Sequence, residues 1–153
     1  MNYEEAMALA IDVATAATNI SADVPVGAVI LNNKNELVAT GSNERELNHD
    51  PTAHAEIVAM RKASESIRSW RLEDHTLVVT LEPCAMCAGA IVQSRIPRVV
   101  FGAWDEKAGA VGSVWDILRD PRTLNKPEVI TGVLAAECAQ LLQSFFQSQR
   151  KGN

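Results

Sequence analysis

No stretch of this chain approaches the roughly 18 uninterrupted apolar residues of a membrane span, and its N-terminus lacks a basic segment followed by an apolar run. Both absences point to a soluble, cytoplasmic protein with no membrane partner. Cysteine is scarce as well. Three cysteines in 153 residues do not make a secreted disulfide framework, and two of them stand at C-x-x-C spacing, so in a reducing compartment they read as thiolates. Internal repeats, low-complexity tracts and linkers are missing too. With 47% hydrophobic and 22% charged residues, the chain is long enough to bury one compact core and short for two, so one domain over residues 1–153 is expected.

An excess of positive charge is also lacking. The formal net charge of −5 argues against a strongly basic nucleic-acid coat. The charge is uneven, however: residues 1–50 hold two Lys/Arg and eight Asp/Glu, whereas residues 51–153 hold twelve and eleven. A local phosphate-binding face in the later part and an ordinary solvated surface are both compatible with that distribution.

The hydrophobic pattern alternates between helix and strand periods. Residues 3–18, rich in alanine with Met7, Ile11 and Ala14 at helical spacing, predict an amphipathic helix. Two apolar runs, 25–31 and 36–41, flank a turn at Asn32-Asn33 and read as a β-hairpin. Further strands are expected at 77–81, 98–102 and 128–131, with helices near 53–68, 84–94 and 134–150. After an opening hairpin, such alternation implies an α/β fold: a mixed sheet of about five strands with helices on both faces.

Four residues carry chemistry. His54 and Glu56 lie two apart in His54-Ala55-Glu56, and Cys84 and Cys87 three apart in Pro83-Cys84-Ala85-Met86-Cys87. They supply three soft or borderline zinc ligands and one carboxylate free to move protons. The fourth coordination position stays open, as a catalytic zinc requires. In a helix interior, positions i and i+2 point roughly 200° apart, so His54 and Glu56 can share a site only near a helix end. Asp50-Pro51-Thr52 reads as such a helix start, and Pro83 marks another. Alone, a C-x-x-C motif also fits a redox pair or half a zinc finger. The absence of a second C-x-x-C or H-x-x-x-H leaves a finger without its remaining ligands.

His-x-Glu followed by Pro-Cys-x-x-Cys resembles the signature of the zinc-dependent cytidine and adenosine deaminases. The likeness extends through residues 24–29 (VPVGAV), 50–57 (DPTAHAEI), 70–72 (WRL), 79–84 (VTLEPC), 86–90 (MCAGA), 98–103 (RVVFGA) and 109–113 (GAVGS). Over nearly its whole length the chain is similar to the bacterial tRNA-specific adenosine deaminase family. That resemblance implies a three-layer α/β/α sandwich of the cytidine deaminase type and one zinc ion held by His54, Cys84 and Cys87. It implies a water made acidic enough to attack C6 of adenine, with Glu56 as the proton shuttle. The implied reaction turns the wobble adenosine of a tRNA anticodon, usually that of an arginine tRNA, into inosine, and the implied assembly is a homodimer.

The same resemblance places Asn43 against the flipped nucleotide, the backbone around Ala55 and Pro83 against the base, and Asp105 beside the RNA backbone, where it would accept a hydrogen bond from a ribose 2′-hydroxyl. From the residues alone, Asn43 reads rather as an asparagine ending a strand in a turn and Asp105 as an exposed loop charge. Two departures stand out: Trp104 replaces a basic residue of many relatives, and residues 145–153 make a shorter, less basic tail. Trp104 is either a stacking platform or a cover for a subunit interface, and Phe145 and Phe146 either meet RNA or pack the last helix. Cys138 reads as a buried small hydrophobe, His49 as a surface loop histidine or a phosphate contact, and His75 has no assigned function. A small-molecule deaminase acting on guanine, cytosine or a nucleoside remains the alternative. A non-catalytic RNA-binding subunit with structural zinc is a third reading, against which Glu56 stands.

Overall fold

The computed structural model describes residues 1–151; Gly152 and Asn153 of the tail lie outside the described residues. Helix α1 (Tyr3–Ala17) opens the chain, its first turn capped by Asn2, whose side chain accepts a hydrogen bond from the Glu5 N–H at 2.8 Å. Strands β1 (Gly27–Leu31) and β2 (Leu37–Ser42) form the expected hairpin. Helix α2 (Ala55–Ile67), β3 (Thr76–Leu81), α3 (Ala85–Ser94), β4 (Arg98–Ala103), β5 (Glu128–Thr131) and α4 (Ala135–Lys151) follow.

The five strands make one mixed sheet in the order β2-β1-β3-β4-β5. Pairing is antiparallel from β2 through β1 to β3 and parallel from β3 through β4 to β5. Strand alternation sorts the apolar side chains into two layers. Ala28, Ile30, Leu77, Val79, Val99 and Phe101 pack with α2 and α3, while Val29, Leu31, Val78 and Val100 face α1 and α4. The α/β/α sandwich expected from the sequence is the observed architecture. Two close approaches hold its layers. A Cβ on Gly27 would lie 1.9 Å from the Ala10 carbonyl oxygen of α1, and one on Gly41 would lie 2.5 Å from the Ala55 carbonyl oxygen of α2.

Local boundaries differ from the sequence reading in two places, each for a hydrogen-bonding reason. The hairpin turn is a longer loop than Asn32-Asn33: the Asn32 side chain accepts from the Lys34 and Glu36 N–H groups, and the residue with positive φ is Asn35, at 58°. Asp50-Pro51-Thr52 forms a turn, not the start of α2, because the Asp50 carboxylate takes both the N–H and the hydroxyl of Thr52. The caps are His54 and Cys84 themselves, both with extended backbones.

Between β4 and β5 the chain runs through residues 104–127 with no helix or extended strand. A parallel crossover usually contains a helix. Here Ala110, Val111 and Leu118 fill the α2/α3 layer instead, each fully buried. No helix of the described residues is long and apolar enough to cross a membrane.

Candidate active site

Two helix N-termini meet beside the carboxyl end of β3. His54 caps α2 and Cys84 caps α3, placing Glu56 and Cys87 in the first turns of those helices. The expectation that α2 begins at residues 50–52 was two to four residues early. The correction matters, because the open cap position frees the His54 imidazole to turn toward Cys84. Its Nδ1 lies 3.5 Å from the Cys84 sulfur and 3.5 Å from the Cys87 sulfur. The three candidate ligand atoms all lie within 4.8 Å of one another.

Zinc fits this donor set. Tetrahedral zinc, with bonds of about 2.3 Å to sulfur and about 2.0–2.1 Å to nitrogen, separates a nitrogen from a sulfur ligand by about 3.6 Å, close to both spacings here. Neither sulfur is in a disulfide, so both are free to act as metal donors. The two helix ends add positive potential that favours thiolates. Within the triad, hydrogen bonds from the Cys87 thiol and from His54 hold the Cys84 thiol down to about 3, against the opposing effect of burial. Cys87 is pushed up, first because its proton serves Cys84 and then by burial. The Cys84 hydrogen bond in turn raises the His54 imidazole.

Glu56 stands apart from the ligand trio but next to it. It is only 4% exposed, and burial raises its carboxyl to about 7, against the lowering effect of its own backbone N–H and of His54. A carboxyl near neutrality can both take and return a proton at physiological pH. It lines a cavity of about 190 Å³ with Val24, Val26, His54, Leu81 and Cys84. That volume, roughly six waters' worth, suits one planar heterocycle and excludes folded RNA.

Of the other residues singled out by sequence, Asn43, Ala55 and Asp105 line the same cavity, whereas Pro83 does not. The Pro83 carbonyl accepts the Ala110 N–H of the crossover at 2.8 Å, while its neighbours Glu82 and Cys84 line the cavity. Asn43 is oriented by two bonds: its side-chain N–H₂ donates to the Val24 carbonyl, and its oxygen accepts from the Arg45 N–H. The Asp105 carboxylate accepts from the Lys107 and Ala108 N–H groups. Trp104 is 48% exposed and meets Phe101 edge to face with 4.9 Å between centroids. Phe145 and Phe146 pack edge to face on α4, Cys138 is buried among apolar neighbours, and His49 and His75 stay outside the cavity.

Sequence reasoning missed the two further charged residues of the cavity lining, Arg45 and Glu82. Arg45 stands two residues after Asn43 and brings a cation to the mouth. Glu82 directly precedes Pro83-Cys84, and a carboxylate between a buried strand and a metal motif was the available signal.

Residues 1–103 match the family model described as the cytidine and deoxycytidylate deaminase zinc-binding region. The chain belongs to the cytidine and deoxycytidylate deaminase family. This deaminase is 46% identical over 148 residues to the tRNA-specific adenosine deaminase of Haemophilus influenzae, covering 97% of the chain and 85% of that relative. A structure from biochemical and structural studies of A-to-I editing by tRNA:A34 deaminases at the wobble position of transfer RNA is similar, with a TM-score of 0.86 and 39% identity, covering 90% of the deaminase and 99% of that chain. A guanine deaminase from Nitrosomonas europaea is also similar, with a TM-score of 0.74 and 29% identity over 93% of this chain and 83% of its own. Zinc is thus the metal of this fold, and His54, Cys84 and Cys87 are the group able to hold it.

Proposed function

We propose that this deaminase converts the wobble adenosine of a tRNA anticodon to inosine, with Glu56 as the catalytic proton carrier and His54, Cys84 and Cys87 as the zinc ligands. One observation carries the reading. A buried carboxyl, Glu56, shares one base-sized cavity with His54 and Cys84 of the three-residue metal group, in a chain 46% identical to a tRNA-specific adenosine deaminase.

When bound, zinc supplies a Lewis acid that brings the pKa of a coordinated water toward neutrality. The chain's own groups do the rest. Glu56 would take a proton from the attacking water and deliver it to N1 of adenine as the C6–O bond forms. A second proton passes through the same carboxyl to the exocyclic nitrogen, which leaves as ammonia and gives the hypoxanthine base of inosine. One water enters and one ammonia departs. Because the cavity holds a single base, the target nucleotide must be turned out of its stack. Asn43 and the backbone around Ala55 and Pro83 are assigned to the base and Asp105 to the ribose 2′-hydroxyl; the presence of Asn43, Ala55, Asp105 and both neighbours of Pro83, Glu82 and Cys84, in the cavity lining supports that assignment. The arginine tRNA is the expected carrier on the resemblance of the motif set alone.

Two unpaired cysteines at the metal group favour a reducing, cytoplasmic setting. We further infer a homodimer. A groove of about 480 Å³ along α2 and α3, lined by Ile57, Met60, Trp70 and Ala90 among others, leaves an apolar face open on the layer that carries the site.

The test is incubation of the zinc-loaded protein with an anticodon stem-loop bearing adenosine at the wobble position, followed by mass spectrometry of the digested RNA. Inosine at that position alone is expected, with free adenosine and guanine untouched. The likeness to a guanine deaminase motivates the competing small-molecule reading. Ammonia release from free guanine or a nucleoside, with none from the stem-loop, would overturn the proposal in its favour.

A further inference from the structure

The proposed chemistry leaves one buried carboxylate beside the metal group unexplained. Glu82 is 2% exposed, and no ion pair among the described residues includes it. Its oxygens accept from the backbone N–H groups of Asp105 at 2.9 Å, Val111 at 3.0 Å and Ser113 at 3.0 Å, and from the Ser113 hydroxyl. All four donors belong to the crossover between β4 and β5. A buried carboxylate is tolerable only when its lone pairs are filled, and here a single loop fills them.

The fit is close enough to dictate a residue. A Cβ on Gly109 would lie 2.2 Å from the Glu82 carboxyl carbon and 2.3 and 2.4 Å from its two oxygens, so no other side chain has room at that position. Two more connections tie the same segments together: the Ala110 N–H donates to the Pro83 carbonyl at 2.8 Å, and Cys84 and Gly109 form an isolated antiparallel bridge. The strand end carrying Glu82, Pro83 and Cys84 is therefore fastened to residues 105–113 as one body. Those residues include Asp105 and Ala108, which wall the cavity. The 24-residue crossover has no helix or extended strand; burial of Ala110, Val111 and Leu118 anchors its middle, and the Glu82 carboxylate ties its first part, residues 105–113, to the strand end.

We propose that Glu82 is a positioning residue: its carboxylate holds the Asp105–Ala108 wall at a fixed place relative to the metal group and Glu56, and so sets how well the substrate nucleotide is held. The kinetic part rests on the deaminase reading above. A wall that contacts substrate equally in ground and transition states changes KM more than kcat.

The experiment compares the zinc-loaded wild type with Glu82→Gln, Glu82→Asp and Ser113→Ala. Glu82→Gln keeps the size but turns an acceptor into an amide that faces N–H donors, and Ser113→Ala deletes one donor only. Zinc content, KM and kcat on the anticodon stem-loop, and amide hydrogen exchange over residues 105–113 are read together. For Glu82→Gln we expect one zinc per chain, KM raised about tenfold and kcat within about threefold of wild type. Exchange over residues 105–113 should be at least about tenfold faster, with α1 unchanged. Ser113→Ala moves KM and exchange in the same direction by a smaller factor, and Glu82→Asp falls between Gln and wild type. Unchanged exchange over residues 105–113 overturns the proposal whatever the enzyme acts on. So does an unchanged KM with an active wild type, or a loss of activity that merely follows lost zinc. If Glu82→Gln fails to fold, the exchange of Ser113→Ala decides alone. A wild type inactive on the stem-loop counts against the proposed function instead, and leaves the exchange result to judge Glu82.

Discussion

Removing the Asp23 carboxylate tests how the mouth of the cavity is built. Asp23 is 4% exposed and accepts hydrogen bonds from the Glu46 N–H at 2.7 Å, the Leu47 N–H at 3.1 Å and the Ser21 hydroxyl at 2.6 Å. It pins the loop that follows Asn43 and Arg45, two residues of the cavity lining. Bonds to a charged acceptor contribute about 1.5–3 kcal/mol each when buried, but Glu46 and Leu47 are exposed, so water replaces much of what is lost. We therefore expect Asp23→Ala to lower the unfolding free energy by about 2–3 kcal/mol at pH 7. Burial alone would raise this carboxyl. The hydrogen bonds from Ser21, Glu46 and Leu47 and the Arg45 charge outweigh it and hold the carboxyl below its ordinary value of 3.8.

The sign of the pH dependence follows from that direction. A group with a depressed folded pKa stabilises fully above its unfolded pKa and loses that contribution as pH falls through the folded value. The gap between wild type and Asp23→Ala should stay constant from about pH 5 to 8 and close below about pH 4. Urea unfolding across that range measures it. A difference under about 0.5 kcal/mol at pH 7, the scale of an ordinary surface substitution, or a gap as wide at pH 3 as at pH 7, would refute the reasoning. KM on the stem-loop should rise in the same variant, because Asn43 and Arg45 lose their support.

Other outcomes follow from the same geometry. Glu56→Gln should keep one zinc per chain by elemental analysis while turnover falls about 10²–10⁴-fold, the usual contribution of a positioned acid–base group; retained turnover would remove Glu56 from its role. Cys87→Ala should lose zinc and activity together, and a strong chelator should do the same to wild type, with activity restored by added zinc. Gly41→Ala would place a Cβ 2.5 Å from the Ala55 carbonyl oxygen and 2.6 Å from the Ala59 nitrogen, both main-chain atoms of α2. It should cost about 1–3 kcal/mol of stability and depress turnover by displacing the helix that carries Glu56, as paired melting and activity assays would show.

Much of the fold was legible because its signals are local. The apolar periods at 3–18, 77–81 and 98–102 came within one or two residues of α1, β3 and β4, since burial on alternate faces leaves a period of two in a strand and about 3.6 in a helix. Boundaries set by competing hydrogen bonds were harder. Asp50-Pro51-Thr52 has the composition of a helix start, yet the Asp50 carboxylate serves Thr52 in a turn and the cap falls at His54. The Asn32 side chain similarly remakes the hairpin turn and moves the positive φ to Asn35.

By itself the sequence determined the donor chemistry: an imidazole, two thiols and a neighbouring carboxyl at spacings that suit helix starts. It also determined the alternation of elements, because both are written in residue types and short separations. Only the tertiary structure decided that residue 54 would meet residues 84 and 87 through Nδ1, that the Pro83 carbonyl would bond to the Ala110 N–H, and that Glu82 would gather four donors from residues 105–113. Those are contacts between segments more than twenty residues apart. Their distances are fixed by how β3 and β4 pair and how α2 and α3 pack on them, which no local pattern in the chain records.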